Sequence, residues 1–447
     1  MTSGRPTGRQ DARLAVLTFG CKVNQYESAF LLEQASATGW QVAAPQAADL
    51  VVINSCTVTA KADRQVRQAL RQAARRPSPP RLVVTGCYAQ RAPDELAGLP
   101  GVQAVLGNAA KAVWPQLAAR LQEDQQTWRQ VSDISVCRQF LPMPISRFAG
   151  HTRAFIKIQE GCNQQCSYCI VPTVRGPERS LPLRQVLAQL QVLVAQGCRE
   201  LVLTGINLSR YGHDLPESTS LVTLCRTLRQ MDWPVRLRLS SLEPQDLAPA
   251  LLQELANWPQ FCPHFHLPLQ SGADEVLAAM QRSYQASWFE ALVHQLAAQF
   301  PRAAIGLDVL VGFPTESDAA FRKTRDLLAR LPIAYLHVFP FSPRPGTLAA
   351  QLPATVDGHQ MERRARELRA LAAAKRVSFY QRQVGQVVDV LVEGELRGRP
   401  GWLTGLTDNY LRVHCPGPRE WANQVIRVRL AKITGPALQG RPLVSGY

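Results

Sequence analysis

Residues 14 to 21 read "LAVLTFGC", an apolar, β-rich run that ends in a cysteine. The same phrase returns as "DLVVINSC" at 49–56 and "RLVVTGC" at 81–87. Helix-period stretches, "QYESAFLLEQASATG" and "KADRQVRQALRQAAR", lie between the three runs. Continuous apolar strands alternating with helices predict a doubly wound parallel sheet, whose strand C-terminal ends share one edge. Cys21, Cys56 and Cys87 therefore meet at that edge, although 35 and 31 residues separate them. The alternative is that they are small buried hydrophobes of the sheet core.

The chain's 447 residues allow two or three domains, and 46% hydrophobic content is that of folded cores rather than disorder. The first twenty residues are basic and polar, without the apolar stretch of a signal peptide. Nowhere do 18 apolar residues run together, which excludes a membrane span and predicts a cytoplasmic protein. In a reducing compartment eleven cysteines, an odd count, point to metal or catalytic use rather than a disulfide scaffold. The formal charge of +16 suits a polyanionic partner such as nucleic acid.

The sequence divides into an N-terminal domain (12–125), a Pro-containing linker (126–147) that includes most of "FLPMPISRFAG", a second strand-helix series (148–380) and a small β unit (381–447). Six strands are expected in the second series: "RAFIKIQEGC", "ELVLTG", "VRLRLSS", "HFHLPLQSG", "AAIGLDVLVGFP" and "AYLHVFPFS". Between the first two, Leu183, Val186, Leu187, Leu190, Leu193 and Val194 fall on one helix face, and Gly197 ends it. Six parallel units over about 230 residues make a partial (β/α)6 barrel. Polar residues cluster after its strands: Thr204, Asn207, Ser241, Glu243, His266, Gln270, Ser271 and Asp308. From residue 381 short alternating strands predict an OB-like barrel, with nine Arg and Lys against five acids. The helix before it, "MERRARELRALAAAKRVSF", adds positive charge.

At the end of the second series' first strand stands "EGCNQQCSYCIVP" (160–172), with Cys162, Cys166 and Cys169 in C-x3-C-x2-C spacing. Structural zinc takes four protein ligands, and no fourth Cys or His lies in this loop. Three thiolates suit three irons of a 4Fe-4S cube and leave one iron open. With Tyr168 as the aromatic residue, the motif resembles the signature of radical S-adenosylmethionine (SAM) enzymes. The resemblance implies that SAM chelates the open iron and is cleaved to a 5′-deoxyadenosyl radical. Thr204, Asn207, Ser241 and Glu243 are the candidates for holding SAM.

A cysteine triad on an N-terminal α/β domain, a radical SAM core and a C-terminal barrel together resemble the methylthiotransferase family, whose barrel is the TRAM domain. "CIVPTVRGPERS", "LTGINLSRYG", "HLPLQSGAD", "VGFPTES" and "FSPRPGT" carry the likeness along the chain. It implies that Cys21, Cys56 and Cys87 hold a second 4Fe-4S cluster that passes a methylated sulfur to substrate carbon. Thr173 stands where the family usually has an aromatic residue, and Thr315 where it has Gly. The remaining cysteines, Cys137, Cys198, Cys225, Cys262 and Cys415, share no spacing and are assigned to packing.

"GCKVNQYES" with "NSCTVTAKADRQVRQ" resembles the branch acting on N6-threonylcarbamoyladenosine at tRNA position 37, where the thiomethyl group enters at adenine C2. The isopentenyladenosine branch carries Q-M-N after its first cysteine, and the branch acting on a ribosomal-protein aspartate carries P-K-N. A tRNA would be held by the basic barrel and by the helix bearing Lys61, Arg64, Arg67 and Arg71. The reaction also needs an electron donor and a sulfur source. A non-catalytic RNA-binding protein with metal-stapled loops is the alternative from a different class; it leaves the two triads without a purpose.

Overall fold

A computed structural model describes residues 12–123, 126–148 and 152–443. The basic segment before residue 12, the last residues of "FLPMPISRFAG" and the final four residues of the chain lie outside the described residues.

The N-terminal unit is a six-stranded, fully parallel sheet of order β2-β1-β3-β4-β5-β6. Its strands are β1 (Arg13–Thr18), β2 (Gln41–Val42), β3 (Leu50–Ser55), β4 (Arg81–Gly86), β5 (Val102–Leu106) and β6 (Trp128–Gln130). Helices α1 (Lys22–Ala37), α2 (Ala60–Ala74), α3 (Cys87–Arg91), α4 (Pro93–Ala97) and α5 (Trp114–Glu123) connect them. Every residue of β3 is buried, as a central strand covered on both faces requires. The doubly wound expectation holds. The stretch from residue 126, read as a linker, instead contributes β6: three residues are too few for an apolar run to show, and pairing with β5 makes them a strand.

The second unit has six parallel strands in two sheets of three: β7 (Arg153–Lys157), β10 (Glu200–Thr204) and β11 (Arg236–Leu239), then β12 (His264–Gln270), β13 (Ala304–Val311) and β14 (Tyr335–Pro340). A bridge between Leu237 and Phe261 joins the two sheets. The partial barrel is therefore open between its edge strands β7 and β14. A short antiparallel pair, β8 (Gln159–Glu160) and β9 (Arg179–Ser180), brackets the cysteine loop and its helix α6 (Val171–Arg175). Around the barrel run α7 (Leu183–Ala195), α8 (Leu221–Gln230), α9 (Pro249–Ala256), α10 (Asp274–Ala279), α11 (Ala286–Gln299) and α12 (Asp318–Arg330), and α13 (Gly358–Gln381) leads onward.

The last unit is a closed barrel, consistent with a TRAM domain, of β15 (Val387–Glu395), β16 (Trp402–Thr407), β17 (Arg412–Pro416), β18 (Val425–Thr434) and β19 (Ala437–Pro442). Short alternating strands were expected here; the last of the five, "ALQGRP", carries a Gly and a Pro that hide it from pattern reading.

The three units pack as one body. Residues of the N-terminal unit, such as Leu14, Phe30 and Trp114, and residues of the barrel, such as Ile156 and Leu203, share one apolar core. Burial of this apolar area is the main stabilising term. The barrel floor is charged: Glu200, almost wholly buried, pairs with Arg238 at 2.8 Å and Arg236 at 3.4 Å. Those arginines also donate to TRAM carbonyls, Arg238 to Asp408 O at 2.8 Å and Arg236 to Leu406 O at 3.1 Å. Inward charges at alternate positions of "VRLRLSS" thus fasten the third unit to the second.

Candidate active site

The three strand ends of the N-terminal sheet bring its cysteines together. Cys21 is the N-cap of α1, Cys56 follows β3, and Cys87 opens α3. Gly20, at φ +97°, backs onto Cys56 so closely that an added Cβ would lie 2.7 Å from Cys56 Cβ. Asn24 donates to Phe19 O at 2.7 Å and Ser55 O at 3.0 Å, which ties the turn before Cys21 to the strand end before Cys56. Ser55 Oγ donates to Thr85 O at 2.5 Å and accepts from Tyr88 N at 3.2 Å, which extends the tie to Cys87. Burial, followed by the neighbouring Cys87, pushes the Cys56 thiol up to about 12.

The second triad occupies the loop between β8 and α6. Gly161 has φ +70°, and a Cβ there would overlap Pro177 O, so only glycine lets the loop turn. A cavity of about 450 Å³ lies against Cys162, Cys166 and Cys169, with Gly346 and Thr347 on its far side. Burial pushes the Cys162 thiol up to about 11 and the Cys169 thiol up to about 12.

Both donor sets fit iron-sulfur clusters rather than single ions. Zinc with bonds of about 2.3 Å draws its ligand sulfurs to roughly 3.8 Å of one another. Among the described residues, the only three ligand atoms all within 4.8 Å of each other belong to His266, Asp308 and His337, not to either triad. Three thiols in each set are the donors that three irons of a 4Fe-4S cube take.

Of the residues expected at SAM, Glu243 stands beside the loop: it pairs with Arg282 at 2.5 Å, and Arg282 donates to Cys166 Sγ at 3.4 Å. The Asn207 backbone N–H donates to Gln159 Oε1 at 2.7 Å, and the Asn207 side chain shares Asp246 with Gln164 of the cysteine loop. Ser241 is bonded to His266 Nδ1 at 2.6 Å. Thr204 is buried in the barrel wall, and Tyr168 packs against a cluster containing Ala273, Val276, Met280 and Phe313. Arg282 and Asp246 were missed, because nothing local marks them. Thr173 bonds to Ile170 O at 2.8 Å inside the loop, and Thr315 is exposed. Cys225, Cys262 and Cys415 are buried, while Cys137 and Cys198 are half-buried.

Between the triads lies a buried ionic network. Glu27 of α1, 1% exposed, meets Arg175 at 2.5 Å, Lys157 at 3.2 Å, and Lys111. Glu160, two residues before Cys162, meets Lys157 at 2.7 Å and Arg175 at 3.2 Å. Arg175 also donates to Asn24 and, through Nε, to Cys87 Sγ at 3.1 Å. Two carboxylates thus face three cations, and the surplus positive charge adjoins a thiol of the first triad. The cations hold Glu27 well below the usual carboxylate range, against its own burial. One sequence signal exists, the charges at Lys157, closing β7, and Glu160, closing β8, just before the cysteine loop.

Residues 13–107 match the model of the uncharacterized protein family UPF0004, and residues 156–328 match the radical SAM superfamily. A threonylcarbamoyladenosine tRNA methylthiotransferase of Aquifex aeolicus is 36% identical over 93% of this chain and 99% of its own. The chain belongs to the threonylcarbamoyladenosine tRNA methylthiotransferase family. It is thus a radical SAM enzyme, and the non-catalytic alternative is set aside. A second relative of that name, from Thermotoga maritima, is 33% identical over 92% of this chain and 93% of its own. A tRNA-2-methylthio-N(6)-dimethylallyladenosine synthase of Methylobacillus flagellatus is 32% identical over 96% and 98%. A radical SAM methyltransferase of Kitasatospora setae shares the fold, with a TM-score of 0.55 at 16% identity over 88% of this chain and 80% of that one.

On the methylthiotransferase's surface, Lys61, Arg64 and Arg71 of α2 are exposed. Arg67, expected among them, is taken up by Tyr88 and by Glu95 at 3.2 Å. Arg427 and Arg429 point outward from β18, whose burial alternates strictly there. Among the described residues no helix is long and apolar enough to cross a membrane.

Proposed function

We propose that Cys162, Cys166 and Cys169 hold the 4Fe-4S cluster that takes SAM, and that Cys21, Cys56 and Cys87 hold the second 4Fe-4S cluster. When bound, these groups supply the radical that breaks the adenine C2–H bond and the methylated sulfur that replaces it, on N6-threonylcarbamoyladenosine 37 of tRNA, giving the 2-methylthio derivative. The protein's own residues position and shield. Glu243 and Asn207 are proposed to contact SAM by polar bonds; Tyr168, Thr204 and Ser241 shape its pocket. Arg282, fixed by Glu243, sets a positive charge beside Cys166. Asn24, Ser55 and Gly20 lock the geometry of the other triad. Lys61, Arg64, Arg71 and the TRAM arginines are proposed to bind the tRNA backbone. A reductant, a sulfur source and a cytoplasmic setting complete the proposal.

The observation that carries this reading is the meeting of both triads on one buried ionic network, with Arg175 touching Cys87 and Glu160 standing next to the core loop. The test is Cys21→Ala in anaerobically reconstituted protein. The variant is expected to cleave SAM and form no thiomethylated nucleoside. An unchanged product yield would remove the second cluster from the reaction.

A further inference from the structure

A cavity of about 520 Å³ opens where all three units meet, on the open side of the barrel. Its walls come from Lys22 of α1, the inner faces of β12 and β14, Arg369 and Arg376 of α13, and the TRAM barrel's Tyr410 and Arg412. The volume suits a nucleoside-sized guest. No Asp or Glu lines it, while four Lys and Arg do. Arg412 is answered by Glu393, and Arg369 by Glu362 at 3.1 Å. Lys22 and Arg376 have no carboxylate partner among the described residues.

The rest of the wall is aromatic. His264 stacks on Tyr410 at 4.5 Å between ring centroids, and its Nε2 is bonded to Tyr335 Oη at 2.7 Å. Burial first, then the charges of Arg238 and Lys22, keep His264 well below the usual imidazole range, so the ring stays neutral. Lys22 directly follows Cys21, so any group it holds lies beside the proposed second cluster.

We propose that Lys22, with Arg376, is the subsite that reads the carboxylate of the threonyl group on the substrate adenosine. This rests on the substrate assignment above and adds to it the residues that choose the substrate. A threonylcarbamoyl substituent carries a carboxylate that an isopentenyl group lacks. Lys22 is half-buried and Arg376 exposed at the cavity's edge; a neutral guest offers neither cation a partner, and the acidic guest pairs with both.

The test compares wild type, Lys22→Gln and Lys22→Arg on three tRNAs that carry at position 37 threonylcarbamoyladenosine, its carboxyl methyl ester, or isopentenyladenosine. Lys22→Gln is expected to lower kcat/KM on the acid by about ten- to a hundredfold, mainly through KM, as loss of one charge-assisted bond predicts. Wild type should convert the ester as poorly as Lys22→Gln converts the acid. Lys22→Arg should restore most of the loss, and iron content should match wild type in both variants. Equal wild-type rates on acid and ester would overturn the subsite alone. Product on the isopentenyl tRNA only would overturn the substrate assignment and the subsite with it.

Discussion

Arg175, at the end of the helix that follows the core cysteines, donates through Nε to Cys87 Sγ of the N-terminal domain at 3.1 Å. The same guanidinium reaches Asn24, Glu27 and Glu160. A lysine keeps the charge but cannot fork to four partners. Arg175→Lys is therefore expected to keep SAM cleavage, to lower thiomethyl product at least about tenfold, and to alter the electron paramagnetic resonance signal of one cluster only. An unaltered spectrum with full product would show the contact to be idle.

Glu27 is the central anion of the network. Its replacement by Gln leaves Lys157 and Arg175 with Glu160 alone, and Lys111 with no carboxylate among the described residues. Breaking a buried ionic set costs about 3–5 kcal/mol, so chemical denaturation of Glu27→Gln should show a loss of that order, whereas Glu33→Gln on the same helix should cost far less.

Two glycines separate the clusters experimentally. Gly161→Ala forces a Cβ onto Pro177 O, and Gly20→Ala forces one against Cys56. Each variant should fall from about eight to about four irons per chain. Gly161→Ala should lose SAM cleavage, and Gly20→Ala should retain it without product.

The tRNA surface has a salt signature. Arg427→Ala with Arg429→Ala should weaken binding similarly for tRNAs of different sequence and lower the slope of log affinity against log salt by about one for each phosphate left without its arginine. Arg67→Ala should barely change that slope, because Arg67 is spent on Tyr88 and Glu95.

Much of this architecture was legible in the chain because it is written in local pattern. Apolar runs ending in Cys21, Cys56 and Cys87 pointed to the sheet and its edge, and the spacing of Cys162, Cys166 and Cys169 pointed to a three-thiolate cluster site, whose radical SAM chemistry came from the family resemblance. The residues that join the two sites are scattered: Glu27, Lys111, Lys157 and Arg175 come from separate elements, and only packing of the N-terminal sheet onto the barrel assembles them. Arg282 likewise reaches Cys166 across 116 residues. The strand β6 escaped because three residues carry no period. The opening motif around Cys21 proved denser than its length suggests, since Lys22 lines the inter-unit cavity, Asn24 ties two cysteine turns, and Glu27 anchors the network.

The central claim is methylthio transfer to threonylcarbamoyladenosine by a two-cluster enzyme. Its most direct test is mass spectrometry of nucleosides from threonylcarbamoyladenosine-bearing tRNA, incubated with anaerobically reconstituted protein, SAM, a sulfur source and a reductant. The account predicts 2-methylthio-N6-threonylcarbamoyladenosine at position 37 with wild type and none with Cys21→Ala or Cys162→Ala. Thiomethylation confined to isopentenyladenosine, or product formed equally by the cysteine variants, would contradict it.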